Sequence, residues 1–198
     1  MDDRCRAPAT LRNRGPILNL LRAVLPETGV VLKIASGSGE HVVYFGQHLP
    51  SLTFQPTDIS AAALLSISAW VRSIGLANVR DPFTLDANAD WPMIVADAIV
   101  CINMIHIAPW SATVGLMRGA GLTLASGAPL YLYGPFRQNG VHSAPSNEEF
   151  DRSLRLSDPS WGVRNLEEVV AEARFAGFSD PTVSSMPANN LSVVLRKV

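Results

Sequence analysis

Val30-Val31-Leu32-Lys33-Ile34-Ala35-Ser36-Gly37-Ser38-Gly39 carries an apolar, β-branched run straight into a glycine-rich turn. A short run without polar alternation, bounded by glycines, is the pattern of a strand buried on both faces, and such strands belong to parallel sheets covered by helices. The flanking sequence repeats that theme. Upstream, Asn13 caps a helix whose apolar positions Ile17, Leu18, Leu21, Val24 and Leu25 recur at helical spacing until Pro26 and Gly29 stop it. Downstream, Val42, Phe45, Gly46 and Leu49 mark a helix face, 52–55 a second strand, and Leu64, Ile67, Val71 and Ile74 a helix opened by Asp58 or Ser60. Strands follow at 79–85, 96–102 and 130–133, with a helix over 111–124 between the last two. Strands alternating with helices at these intervals predict βαβ crossovers in an α/β fold with helices on both faces of the sheet.

The last third changes character. Residues 137–162 are polar and turn-rich apart from a short helix over 148–156, as expected of a lid or substrate loop. Leu166, Val169, Val170 and Ala173 then form an amphipathic helix ending at Gly177, and strands at 178–185 and 191–195 are joined by a short link suited to a hairpin. The expected sheet is therefore Rossmann-like, mostly parallel and seven-stranded, with an antiparallel last strand.

Composition narrows the function. The chain has 198 residues, 47% of them hydrophobic, enough for one sizeable core, so residues 1–12 are read as a flexible leader and 13–198 as a single domain. Sixteen Lys and Arg against seventeen Asp and Glu, with no block of like charge, advertise neither a nucleic-acid footprint nor a membrane-surface patch; a small-molecule partner is expected. Cys5 and Cys101 are too few for a disulfide framework or a thiolate metal site, and Met1-Asp2-Asp3-Arg4 lacks a signal-peptide core, so the expected setting is cytoplasmic. The four histidines show no ligand spacing, so no metal is expected, and Ser36-Gly37-Ser38-Gly39 does not match the nucleophile motif of a serine hydrolase.

The glycine turn carries the chemistry. Between a buried strand and a helix, such a turn lets main chain approach a ligand and aims free N–H groups at it. Asp58 follows Gly39 by 19 positions, one helix and one strand away, which places a carboxylate within reach of ribose hydroxyls. A dinucleotide fingerprint would need a glycine or alanine where Val42 stands, and no Gly-Lys-Ser or Gly-Lys-Thr triplet occurs to mark a P-loop. A single nucleoside with a charged amino-acid tail fits better.

Five segments in order then resemble one family: Arg12-Asn13-Arg14-Gly15-Pro16-Ile17-Leu18, the stretch from Val31 to His41, Gln55-Pro56-Thr57-Asp58, Asn103-Met104-Ile105-His106-Ile107 and Trp161-Gly162-Val163-Arg164. The chain resembles the class I S-adenosylmethionine-dependent methyltransferases, and among them the small methyltransferase-like group known as DUF938. The resemblance implies S-adenosylmethionine as cofactor, its methionine part held by Ala35, Ser36, Gly37 and Gly39, its ribose by Asp58 and its adenine by Asp86 and Ala87. It further implies that Asn103 and Met104 border the departing methyl group and that Asn13 or Arg14 closes over the methionine carboxylate. Lys33 stands where that family usually has an acidic residue that helps hold the cofactor's ammonium group. It motivates an alternative, a methyltransferase fold with altered or lost cofactor chemistry that acts as a binding protein or repurposed enzyme.

Methyl transfer needs a placed nucleophile and, for a hydroxyl or amine, a base. His106, just past the fourth strand, is the expected base, with a structural role as its competitor. Trp110, Tyr133, Phe136 and Trp161 are candidates to wall a substrate pocket, and Arg137 to pair with a substrate carboxylate.

Overall fold

In the computed structural model, which describes residues 3–198, the chain forms α1 (Pro8–Val24), β1 (Gly29–Ile34), α2 (Glu40–His48), β2 (Leu52–Asp58), α3 (Ala61–Ile74), β3 (Phe83–Thr84) and β4 (Ala98–Ile102). It continues with α4 (Trp110–Thr123), β5 (Pro129–Gly134), β6 (Arg137–Gln138), β7 (Val141–His142), α5 (Pro145–Ser157), α6 (Leu166–Phe175), β8 (Thr182–Met186) and β9 (Asn190–Arg196). Seven strands make one sheet in the order β3-β2-β1-β4-β5-β9-β8. β4 sits at its centre, parallel to β1 and β5, β1 is parallel to β2 as well, and β9 alone runs opposite to the other strands. The expected Rossmann-like sheet with an antiparallel last strand is what forms.

Alternation along the buried strands divides the core in two. Leu32 and Ile34 of β1, Ile99 and Cys101 of β4, and Leu130 and Leu132 of β5 face α4 and α6, meeting Leu116, Ala120, Val169 and Ala173. Val31, Val100 and Tyr131 face the other way, onto Ile17 and Leu21 of α1, Phe45 of α2 and Ile67 of α3. Burial on both faces is what the unbroken apolar runs require. Ser60 caps α3, its Oγ accepting from the Ala63 N–H, which decides between the two expected caps. No helix among the described residues is long and apolar enough to cross a membrane.

Four local expectations are corrected. α1 begins at Pro8, so Asn13 lies inside the helix and caps nothing. Pro is well placed in a first turn, where its missing N–H is not needed. The expected flexible leader is tied down over residues 5–7: Cys5 N–H donates to Ser66 Oγ at 2.8 Å, Trp70 Nε1 to the Cys5 carbonyl at 2.9 Å, and Ala7 N–H to Glu40 Oε2 at 2.5 Å. Residues 1 and 2 lie outside the described residues. The third strand shrinks to β3, with Val79 joined to Phe54 by a single bridge. Within 137–162 the loop is more ordered than its composition implied, for β6 and β7 pair as a hairpin and α5 is thirteen residues long.

Candidate active site

The strand order changes direction between β1 and β4, and the carboxyl ends of β1, β2 and β4 open on the same side, the place where open α/β sheets bind ligands. A cleft of about 440 Å³ lies there. Its floor is the turn after β1. Ala35 holds a φ of +47°, an uncommon conformation for a residue with a Cβ, and Gly37 follows at +58°. Hydrogen bonds fix this shape: Ser36 N–H donates to the Thr57 carbonyl at 2.8 Å, and Ser36 Oγ and Thr57 Oγ1 both donate to the Lys33 carbonyl, at 3.0 and 3.1 Å. Gly39, φ +89°, opens α2 so close to α3 that a Cβ there would lie 2.8 Å from the Ile67 Cα.

Asp58 ends β2 and clamps the turn. One carboxylate oxygen accepts from the Gly37 N–H at 2.8 Å and the other from the Ser60 N–H at 2.9 Å, joining the β1 turn to the start of α3. A carboxylate has about four acceptor positions, so these bonds leave capacity toward the cleft, which Asp58 lines. Asp86, with Oδ1 accepting from the Asn88 N–H at 2.8 Å, lines the opposite wall beside Ala87.

Lys33 is 2% exposed and does not line the cleft. Its Nζ turns beneath the turn and donates to the carbonyls of Ile34 and Ala35, at 3.0 and 3.3 Å. Burial lowers its pKa to about 8, against the opposing pull of Cys101 and Asp58. On the same side of the sheet His41 is pushed down to about 3, chiefly by burial and then by Lys33 and Arg14, so its ring is neutral. Its Nε2 lies 2.8 Å from Asn13 Oδ1, and Asn13 in turn hydrogen-bonds the Tyr133 hydroxyl, whose pKa burial raises.

A second cleft, of about 390 Å³, adjoins the first, between α1, α5, the end of β5 and the β8–β9 link. Asn103, φ +62°, separates the two: it lines the second cleft, and its neighbours Ile102 and Met104 line the first. Arg12, Asn13, Tyr133, Asn147, Phe150 and Asn190 complete much of its wall. Asn147 is buried and fixed, its Nδ2 donating to Ser143 Oγ at 2.9 Å and the Asn189 carbonyl at 2.8 Å.

The residues singled out in sequence therefore sort into groups. Ala35, Gly37, Asp58, Asp86, Ala87 and Met104 converge on the first cleft, and Trp161, expected beside a substrate, joins them. Asn13 and Asn103 line the second cleft. Ser36 and Gly39 shape the turn without lining either cleft.

His106 is a correction. It is 0% exposed and lines neither cleft; Nδ1 accepts from the Arg164 N–H at 3.3 Å, the ring sits edge-on to Phe136, and Gly134 is close enough that a Cβ there would lie 2.2 Å from Nε2. Burial, with Arg164 adding to it, lowers its pKa to about 3, leaving a poor base. The residue pins the loop after α5, where the Gly162 N–H also donates to the His106 carbonyl.

Trp110 lines neither cleft and lies under the Arg164 guanidinium, 5.7 Å from the ring centroid. Arg137 is likewise outside both, its N–H held by the Arg164 carbonyl in β6. Arg14 packs over Tyr44 instead of reaching a cleft. Arg12, Asn147, Phe150 and Asn190 were missed. The i, i+3 spacing of Asn147 and Phe150 on one helix was the available signal, while Arg12 was hidden by counting it with the leader.

A seven-stranded sheet in this order, helices on both faces and a glycine turn under a cleft at the switch point define the Rossmann-like methyltransferase fold. Solved structures agree: the mitomycin 7-O-methyltransferase MmcR superposes with a TM-score of 0.81 at 15% identity over 96% of this chain and 54% of its own. The calicheamicin-biosynthesis methyltransferase CalO1, in its SAH-bound form, gives 0.76 at 17% identity over 94% of this chain and 54% of its own. An O-methyltransferase family 2 protein from Planctomyces limnophilus, in complex with apigenin, gives 0.78 at 19% identity over 96% of this chain and 60% of its own. The chain thus spans between half and two thirds of these proteins. Residues 4–197 match the family described as "Protein of unknown function (DUF938)", and the chain belongs to that family.

Proposed function

We propose that the protein transfers a methyl group from S-adenosylmethionine to a small molecule. The observation that carries this reading is the convergence of Ala35, Gly37, Asp58, Asp86, Ala87 and Met104 on one cleft at the switch point of the sheet. The cleft's size is in the range of nucleoside-sized ligands, and its two carboxylates supply acceptors for ribose hydroxyls and an adenine amino group. Asp58 would take the ribose, Asp86 and Ala87 the adenine, and the turn from Ala35 to Gly39 the methionine part. S-adenosylmethionine supplies an electrophilic methyl on a sulfonium. Asn103 and Met104 would set where an acceptor meets that methyl, and Asn13, held by His41, would orient groups in the second cleft.

Lys33 is compatible with this reading because its ammonium is satisfied by the Ile34 and Ala35 carbonyls and stays out of the cleft. The same observation favours a second reading, in which those carbonyls are already taken and the fold holds a different nucleoside ligand without methyl transfer. Calorimetric titration with S-adenosylmethionine, S-adenosylhomocysteine and NAD separates them. Micromolar binding of the first two and none of NAD is expected; no binding of either by folded protein would reject methyl transfer in favour of the second reading.

A further inference from the structure

We propose that the second cleft takes a small, flat organic acid, paired with Arg12 and offering an oxyanion as methyl acceptor at the Asn103 junction. The inference rests on the methyl-transfer reading of the first cleft.

Charge comes first. Among the described residues, Arg12 is the one charged residue lining the cleft, and it forms no ion pair with another of them. The remaining polar groups are mostly neutral amides and hydroxyls: Asn13, Asn103, Tyr133, Ser146, Asn147 and Asn190. An exposed guanidinium over a cleft without a carboxylate makes a place for an anion, and its fork of donors matches a carboxylate in particular. Phe150 on α5, 42% exposed, offers an aromatic wall against which a planar ring can pack.

The second argument is about protons. An alcohol or an ammonium acceptor must lose a proton, and a base must lie within hydrogen-bond reach to take it. Among the described residues, no carboxylate or imidazole lines this cleft. His41 is one residue removed, with its Nε2 engaged by Asn13, and His106 is sealed beneath Gly134 and Phe136. The acceptor must therefore arrive already ionised, as a carboxylate or an acidic phenol. Its oxygen lone pair forms the new oxygen–carbon bond, the carbon–sulfur bond breaks with its electron pair going to sulfur, and no proton is released. The negative acceptor and positive sulfonium are both neutralised, so the step leaves no new charge for the protein to stabilise.

The test is calorimetric titration of protein saturated with S-adenosylhomocysteine, using 4-hydroxybenzoate and its neutral isostere 4-hydroxybenzamide. The acid should bind at least about ten-fold more tightly, the scale of a charge-assisted hydrogen bond. Arg12→Gln should bring the two within about two-fold, while Arg152→Gln, which removes an exposed arginine paired with Glu148 on the same α5, should keep the preference. Equal affinity for the two probes, binding of neither, or a preference that survives Arg12→Gln would overturn the proposal. Repeating the titrations without S-adenosylhomocysteine separates the two readings. An acid preference in protein that does not bind S-adenosylhomocysteine would remove methyl transfer and leave the anion site; S-adenosylhomocysteine binding without an acid preference would do the reverse.

Discussion

Asp58→Ala deletes the clamp between the glycine turn and α3. Its carboxylate is buried and accepts two main-chain hydrogen bonds, from Gly37 at 2.8 Å and Ser60 at 2.9 Å. A hydrogen bond to a charged group contributes about 1.5–3 kcal/mol. The two share one carboxylate, and the released N–H groups lie beside a cleft that water can enter, so the net loss should be less than their sum, about 2–4 kcal/mol. For a chain of this length that corresponds to a fall in Tm of about 5–15 °C. Affinity for S-adenosylhomocysteine should fall at least ten-fold, because the turn loses its shape and the ligand loses an acceptor. Asp58→Asn keeps one acceptor oxygen and should fall between wild type and alanine in both respects. Urea unfolding followed by circular dichroism gives the first quantity and calorimetry the second. A variant within about 0.5 kcal/mol of wild type, the range of an inconsequential surface change, would refute the clamp; a destabilised variant with unchanged ligand affinity would refute the ligand contact alone.

Lys33 gives a prediction in pH. Its pKa is about 8 in the folded chain against 10.5 for the free side chain, so below pH 8 both states carry the proton and the burial penalty is fully present. Between pH 8 and 10.5 the unfolded chain binds more protons, so this group makes stability rise with pH across that window. Lys33→Met should be about 1–3 kcal/mol more stable than wild type at pH 7, an advantage that shrinks toward pH 10.5. Cys101, raised to about 11 by burial against the lowering pull of Lys33, makes stability fall with pH above about 9, and losing the lysine alters that fall, so the lysine is read between pH 7 and 9, before the thiol titrates in either state. A constant difference in urea-unfolding free energy from pH 7 to 9 would contradict the assignment. His106→Ala should cost about 2–4 kcal/mol through lost packing on Phe136 and a lost acceptor for Arg164 while leaving S-adenosylhomocysteine affinity within about three-fold. In wild type, His106 and His41 both stay neutral in the fold down to about pH 3, so stability should fall as pH drops below 6.5 and the unfolded chain gains protons that the folded one refuses. Wild-type stability with abolished turnover in His106→Ala would restore the catalytic role.

Much of the sheet was legible because buried parallel strands cannot hide. Val31, Leu32 and Ile34, Ala98 through Ile102, and Leu130 through Tyr133 have no solvent face, so each reads as a short unbroken apolar run. β3 was overread because two residues at an edge need little apolar character, and the chain around Val79 is held mainly by the Asn78 amide on the carbonyls of Gly46, Leu49 and Leu52. α1 was started too late since Pro8 and the polar residues after it look like a loop until Glu40 and Ser66 are known to receive the chain. For the site, Asp58 was found by its spacing from the glycines, yet its bonds to Gly37 and Ser60 depend on a register that sequence does not state. His106 misled because its position just past a strand end is right for catalysis; what decides its role is the seal formed by Gly134 and Phe136 from β5 and its flank. The second cleft was mostly invisible, being assembled from α1, α5 and the β8–β9 link, segments far apart in the chain.

Asn103 divides the two clefts with a single left-handed residue of main chain. On one side the walls belong largely to strand ends and their turns, where a substitution disturbs the sheet; on the other they are side chains of peripheral helices and a hairpin. On the proposed reading, acceptor choice drifts by exchanging outer residues such as Arg12 or Phe150 while the inner chamber stays fixed, so a change of substrate carries little penalty in foldability.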